Sequence, residues 1–205
     1  MSQLRTFVEL GFRHITDLGA LDHILFLLAL AAIYRPADWR RALWVISAFT
    51  VGHSITLALA VTGLLALRTS VIEFLIPVTI VATCVENLVV RERARAPWGR
   101  GGRYRPMLAG VFGLVHGASF ANYLNALFVA PIAVPLFGFN VGIELGQLVV
   151  LSLAAAALAV VDALLRGLLP RIGGNTVSPL RVRVALVSTI VLVVAAHWAV
   201  ERTPW

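Results

Sequence analysis

The chain has 205 residues, of which 60% are hydrophobic and 13% charged, and its mean hydropathy is +0.90. Soluble domains contain about 45–50% apolar and about 25% charged residues, so this composition excludes a soluble domain and predicts an integral membrane protein. The formal charge of +7 comes from 17 arginines, since the sequence has no lysine. These arginines lie between apolar segments, which favours a topological signal over a nucleic-acid surface.

Apolar segments approaching about 20 residues predict membrane-spanning helices, and the alternating pattern of a barrel strand does not occur in the sequence. The expected fold is therefore an all-α membrane protein: a single helical domain over residues 1–205, built as a bundle of six transmembrane helices. Residues 1–10 are expected to form a short amphipathic segment at the membrane surface. The expected spans are 15–34, 42–67, 71–90, 107–127, 137–165 and 183–201.

The positions of the arginines predict the orientation of this bundle. Thirteen of the 17 follow the first, third and fifth spans, and the connection 91–106 carries the most. Basic residues accumulate on the cytoplasmic side of a membrane. Both termini are therefore expected to be extracytoplasmic.

Ionisable and amide side chains interrupt the apolar segments. Such groups are costly in a bilayer, face the protein interior or water, and usually mark an ion or substrate pathway. Imidazole suits divalent nickel, cobalt and zinc, and carboxylates neutralise the cation or orient its ligands. The predicted ligands of such a metal are Asp22, His23, His53, His116 and Glu144. The residues predicted to line the pathway or support the ligands are His14, Asp17, Glu86, Asn87, Asn140 and Gln147.

Small residues next to these ligands predict where helices approach closely, because glycine lets two backbones meet. The glycines concerned are Gly52, Gly113 and Gly117 near the histidines, and Gly138, Gly142 and Gly146 in the fifth span.

Five separated motifs occur in order along the first five spans. They are Gly11-Phe-Arg-His14 followed by Gly19-Ala-Leu-Asp22-His23-Ile-Leu-Phe26, Ile46-Ser-Ala-Phe-Thr-Val-Gly-His53-Ser-Ile-Thr, Glu86-Asn87, Phe112-Gly-Leu-Val-His116-Gly and Phe139-Asn-Val-Gly-Ile-Glu144-Leu-Gly-Gln147. Together they resemble the HupE/UreJ family. The resemblance implies a helical protein of the bacterial inner membrane, in a family whose members are proposed nickel or cobalt permeases. The spacing between His14 and Asp22 differs from that of the nickel-permease branch, so the chain looks more like the second branch of the family.

Three functions stay open. A permease for a divalent transition metal such as nickel or cobalt is preferred, with the cation moving past His53 and Glu86. An intramembrane zinc-dependent hydrolase is the first alternative, with Glu86 or Glu144 as general base. A non-catalytic scaffold or sensor, whose polar residues only bind helices together, is the second. The expected partners are the lipid bilayer and a metal ion, without nucleic acid, and a homo-oligomer is left open.

Overall fold

The computed structural model describes residues 2–19, 21–65, 68–89, 104–127, 132–172 and 177–204. Within these ranges the chain is helical and contains no strand, which confirms the predicted all-α class. Most of the predicted connection 91–106 lies outside the described residues. The helices are α1 (Gln3–Thr16), α2 (Leu21–Ala31), α3 (Trp39–Val61), α4 (Thr69–Val89), α5 (Tyr104–Leu127), α6 (Ala133–Leu168) and α7 (Pro179–Glu201), with short 3-10 helices at Pro36–Asp38 and Leu169–Ile172.

The first predicted span, 15–34, is divided between two helices. α1 ends at Thr16, α2 begins at Leu21, and the two axes are bent by 69°. Asp17 Oδ1 accepts a hydrogen bond from Gly19 N at 2.8 Å. This local bond offers the backbone an alternative to the helical ladder, so the helix stops here despite the apolar residues that follow.

The second predicted span, 42–67, ends earlier than expected, at Val61. Gly63 has a φ of +74°, a left-handed conformation that glycine adopts without steric cost. Gly63 N donates to Ala60 O at 3.0 Å, and Leu64 N donates to Leu59 O at 2.9 Å. This pair of bonds is the Schellman motif, which satisfies the last carbonyls and terminates the helix.

The helices pack mainly in pairs, and α2 lies among them. α1 packs against α6, α3 against α5 and α4 against α7, while α2 contacts α4, α6 and α7. Residues 3–10, expected at the surface, are thus part of a longer helix packed on α6. The 11 residues of α2 rise only about 16 Å, roughly half of the hydrocarbon core of a bilayer. α2 therefore reaches only part of the way across a membrane and buries its apolar side chains inside the bundle.

Among the described residues, four helices are long and apolar enough to cross a membrane: α3, α4, α7, and α6 with its continuation to Arg171. The bent pair α1 and α2 would make a fifth span if its two helices are counted together. The structure therefore supports a helical membrane protein with four to five candidate spans, against the six predicted.

Candidate metal centre

Glycines bring the backbones of α3 and α5 into direct contact beside His53. A Cβ at Gly113 would overlap the Phe49 carbonyl oxygen and lie 2.9 Å from His53 N. A Cβ at Gly117 would lie 2.9 Å from His53 Cα. Because only glycine permits this approach, the part of α3 that carries His53 is held against the part of α5 that carries His116.

A second helix pair, α1 and α6, meets in the same way. A Cβ at Gly11 would overlap the Phe139 carbonyl oxygen, and one at Gly142 would lie 2.8 Å from Phe12 N. His14 follows Gly11 by one helical turn. The contact with α6 therefore fixes the position of the end of α1, which carries His14.

Three histidines from three helices converge in the interior. They are His14 at the end of α1, His23 in the first turn of α2 and His53 in α3, and one ring nitrogen of each lies within 4.8 Å of the other two. The ring centroids of His14 and His23 are 4.6 Å apart, and those of His14 and His53 are 6.2 Å apart. These three residues form the histidine cluster. His14, predicted only as a pathway residue, belongs to it.

The ring nitrogens of the histidine cluster are buried without hydrogen-bond partners. Among the described residues, neither ring nitrogen of His23 or of His53 has one, and neither does Nε2 of His14. Buried polar atoms are nearly always bonded in folded proteins, so such exceptions need an explanation. Neutral imidazole nitrogens are ligands of nickel, cobalt, copper and zinc. The donor set therefore fits a divalent transition metal, which would accept these lone pairs.

Phenylalanine rings surround the cluster. The Phe120 ring centroid lies 4.1 Å from that of His14, and the Phe139 centroid lies 5.7 Å from His14 and 6.4 Å from His53. The Phe49 ring centroid lies 6.2 Å from that of His53. Apolar walls lower the local dielectric constant, which strengthens electrostatic interactions with a bound cation.

His116 lies beside the histidine cluster. Its ring centroid is 5.2 Å from that of His23, and its side chain is fully buried. His116 Nε2 lies 3.0 Å from Thr79 Oγ1, whereas Nδ1 has no partner in the described part of the chain. His116 thus remains a predicted ligand: its ring packs against that of His23, but the group of nitrogens within 4.8 Å of each other comprises only His14, His23 and His53.

The two predicted carboxylate ligands contact other groups. Asp22 Oδ2 accepts a hydrogen bond from Arg202 Nη1 at 3.2 Å, just beyond the end of α7. Glu144 Oε1 accepts one from Ser47 Oγ at 2.9 Å. In the ranges that the structure describes, the histidine cluster therefore contains no carboxylate. Ligation by Asp22 and Glu144 stays a prediction.

The predicted amide residues of α6 form helix contacts. Gln147 Oε1 accepts a hydrogen bond from Thr50 Oγ1 at 2.9 Å, linking α6 to α3. Asn140 Nδ2 donates to Leu136 O within its own helix, also at 2.9 Å. These bonds support the helices that carry the site without placing either amide among the cluster nitrogens.

Glu86 and Asn87 lie in a separate, partly buried network at the end of α4. Arg105 Nη2 lies 2.6 Å from Glu86 Oε2 and donates to Asn87 Oδ1 at 3.0 Å. Tyr104 OH donates to Glu86 Oε1. Asn87 Nδ2 donates to Ala29 O at 2.8 Å, which joins α4 to α2. Tyr104 lies 12 residues before His116, so this network is about 18 Å along α5 from the histidine.

A second arginine, Arg183, lies near the same end of α2, and its burial was not predicted from the sequence. Arg183, only 1% exposed, donates from Nη1 to Asp162 Oδ2 at 2.5 Å and from Nη2 to Tyr34 O at 2.8 Å. Its Nε donates to Ala32 O at 3.2 Å. The sequence signal was Asp162, an acid inside a predicted apolar span. The arginine end is defined by Glu86, Asn87, Tyr104, Arg105, Asp162 and Arg183.

The protein-family model described as HupE / UreJ protein matches residues 1–202. No curated protein and no solved structure matches the chain. The family match extends over all three histidines of the cluster, over His116 and over the arginine end.

Proposed function

We propose that this chain, which belongs to the HupE / UreJ family, is a membrane permease whose histidine cluster binds a divalent transition metal, nickel or cobalt, as its cargo. One observation carries the proposal: three imidazoles from three different helices place ring nitrogens within 4.8 Å of each other, with buried nitrogens unpartnered among the described residues. The association of the family with nickel and cobalt transport supports the same reading.

The charge of the cluster suits a transported ion. Three neutral imidazoles bind the cation without neutralising it, and an uncompensated charge in an apolar site is costly. The three histidines alone therefore hold the ion weakly, which favours release, and the carboxylates of the proposed set would strengthen binding by supplying the compensating charge. Asp22 reaches the ion as a further ligand when Arg202 releases it, and Glu144 and His116 complete the proposed set.

The proposed topology has six spans in the bacterial inner membrane, with both termini extracytoplasmic. The bent pair of α1 and α2 forms the first span, and α5 is added to the four long apolar helices. The distribution of the arginines supports this orientation, since 13 of the 17 follow the first, third and fifth predicted spans.

Two observations weigh against the alternative functions. In a scaffold, the histidines would form hydrogen bonds between helices. Among the described residues, however, neither ring nitrogen of His23 or of His53 forms such a bond. A zinc-dependent hydrolase needs a general base beside the metal. Of the two candidates, Glu86 is bound by Arg105 and Tyr104, and Glu144 accepts a hydrogen bond from Ser47. The permease is therefore the function that the site supports best.

The test is elemental analysis of the purified full chain in detergent after exposure to nickel or cobalt. We expect metal in the wild-type protein and its loss from folded His23→Ala and His53→Ala variants. His197→Ala is the matched control, because that histidine is largely exposed on α7 and pairs with Glu201 at 3.2 Å. We expect the control to keep the metal.

Transport is tested by metal accumulation in cells that lack other importers. Expression of the wild-type chain should raise nickel or cobalt uptake, and His53→Ala should not. Unchanged accumulation with the wild-type chain, or metal retained by both cluster variants, would contradict the proposal.

A further inference from the structure

Thr79 of α4 is a buried hydroxyl in contact with His116, and it lies outside the family motifs found in the sequence. Its Oγ1 is 3.0 Å from His116 Nε2 and 2.7 Å from the backbone oxygen of Ile76, one turn earlier in the same helix. One hydroxyl therefore contacts two groups that belong to different helices.

The chemistry of these two contacts determines where the protons lie. The Ile76 oxygen is a carbonyl and can only accept, so the hydroxyl proton of Thr79 must point towards it. The Thr79 oxygen is then an acceptor towards His116, and Nε2 must carry the proton between them. The reverse arrangement would leave two oxygen lone pairs facing each other across 2.7 Å.

This tautomer leaves His116 Nδ1 with a free lone pair. Nδ1 is buried and has no partner among the described residues. The ring it belongs to lies 5.2 Å, between centroids, from that of His23 in the histidine cluster. In metal sites, the hydrogen bond made by one ring nitrogen fixes which nitrogen binds the metal.

We propose that Thr79 is a positioning residue that holds His116 in the Nε2–H tautomer, so that Nδ1 acts as a fourth nitrogen ligand of the cargo cation. This inference rests on the proposed function for its metal-directed part. The backbone oxygen of Ile76 accepts the hydroxyl proton of Thr79 and so fixes its direction. The tautomer of His116 is therefore set by the helical backbone of α4.

The first experiment examines the metal-free, full-length protein by NMR with 15N-labelled histidine. Protonated and unprotonated ring nitrogens differ strongly in chemical shift, and His116→Gln identifies the resonances of His116. We expect the Nε2–H tautomer in the wild-type protein and in Thr79→Ser, which keeps the hydroxyl. Thr79→Val should lose this preference.

Thr83→Val is the matched control. The Thr83 hydroxyl is also buried in α4, but its hydrogen bond goes to Thr79 O in its own backbone, at 2.9 Å. The control removes a buried hydroxyl from the same helix without touching the histidine. We expect it to keep the wild-type tautomer.

The second experiment titrates the same proteins with Co²⁺ and records the ligand-field absorption. Loss of a partner that orients a ligand typically weakens metal binding by about 10–100-fold, so we expect that effect for Thr79→Val. The absorption bands should also change, because the ligand set changes. Thr79→Ser and Thr83→Val should resemble the wild-type protein in both affinity and spectrum.

The outcomes separate this inference from the proposed function. An Nδ1–H tautomer in the wild-type protein, or unchanged Co²⁺ affinity and spectrum in Thr79→Val, would overturn the role of Thr79 alone. A wild-type protein that binds neither Co²⁺ nor Ni²⁺ would overturn the proposed function, and with it the metal-directed role of Thr79, whichever tautomer is found.

Discussion

At the arginine end, Arg183 makes three hydrogen bonds and Arg105 binds both Glu86 and Asn87, whereas the histidine cluster buries ring nitrogens that the described residues leave unbonded. Both regions place polar groups inside an apolar bundle, where an unpaired group is costly. Arg105 Nη1 and Asp162 Oδ1 also lack a partner among the described residues, but both side chains are bonded through other atoms, whereas His23 and His53 are bonded through neither ring nitrogen. The two regions differ in what they bind. The arginine end binds other helices, and the histidine cluster is suited to a ligand.

Side chains of the arginine end form hydrogen bonds with the backbone at one end of α2. The side chains of Arg183 and Asn87 donate to the carbonyl oxygens of Ala32 and Ala29 near the end of α2. Terminal carbonyls of a helix have no partner within the helix itself. The arginine end therefore satisfies and anchors one end of α2, while the other end carries His23.

The strongest test of this contrast is Arg183→Ala. Removing the guanidinium leaves the Asp162 carboxylate, mostly buried, without its cation, and the carbonyl oxygens of Ala32 and Tyr34 lose their donor. We expect the free energy of unfolding to fall by about 3 kcal/mol. Unfolding in mixed detergent micelles measures it.

Arg13→Ala is the control for that substitution. Its ion pair with Glu9 is exposed, with 75% of the Arg13 side chain accessible. Exposed pairs contribute about 0–1 kcal/mol, so little change is expected. Equal losses for the two arginines would mean that the buried contacts of Arg183 do not stabilise the bundle.

A second test concerns how the histidines are held in place. Gly113→Ala should force α3 and α5 apart, because the new Cβ would meet the backbone of Phe49 and His53. We expect a loss of about 2 kcal/mol in the free energy of unfolding, within the usual cost of overpacking. Metal affinity should fall as well, because His53 moves. Chemical unfolding and metal titration measure the two effects.

Gly110→Ala provides the matched control in the same helix. A Cβ there would meet Ala48 O at 3.4 Å, which is an ordinary contact. Alanine favours a helix over glycine by up to about 1 kcal/mol, so this variant should be unchanged or more stable. A loss as large as that of Gly113→Ala would contradict the close backbone contact as the cause.

Apart from the control variants, His53→Leu has the smallest expected effect on stability. The substitution removes two buried nitrogens that lack partners and keeps an apolar side chain of similar volume. We expect the metal-free protein to keep its stability or gain about 1 kcal/mol, while bound metal is lost. Unfolding and elemental analysis check the two parts. A loss of stability comparable to that of Arg183→Ala would show that the ring holds helices together.

Much of this architecture could be predicted from the sequence, because hydropathy reports the apolar segments directly. The all-α class is confirmed, and His23 and His53 were predicted as ligands because a histidine in an apolar span is rare. The break between Thr16 and Leu21 was missed. It depends on a local bond from Asp17, which hydropathy does not register.

Partners distant in the chain could not be predicted. Asp22 and Arg202 are 180 residues apart, and nothing in either sequence context predicts that they meet. Thr79 resembles any other threonine of an apolar helix until its contact with His116 is known. Such pairings depend on how the helices are arranged, which a single sequence does not specify.

The bend between α1 and α2 separates two histidines of the proposed metal site. His14 and His23 lie on opposite sides of the 69° bend, so the separation of their nitrogens changes whenever one helix rotates against the other. A ligand held by both rings favours one angle, and by reciprocity that angle favours the ligand. Under the proposed function, occupancy of the histidine cluster and the angle between α1 and α2 are therefore coupled, and a change in that angle would release the ion.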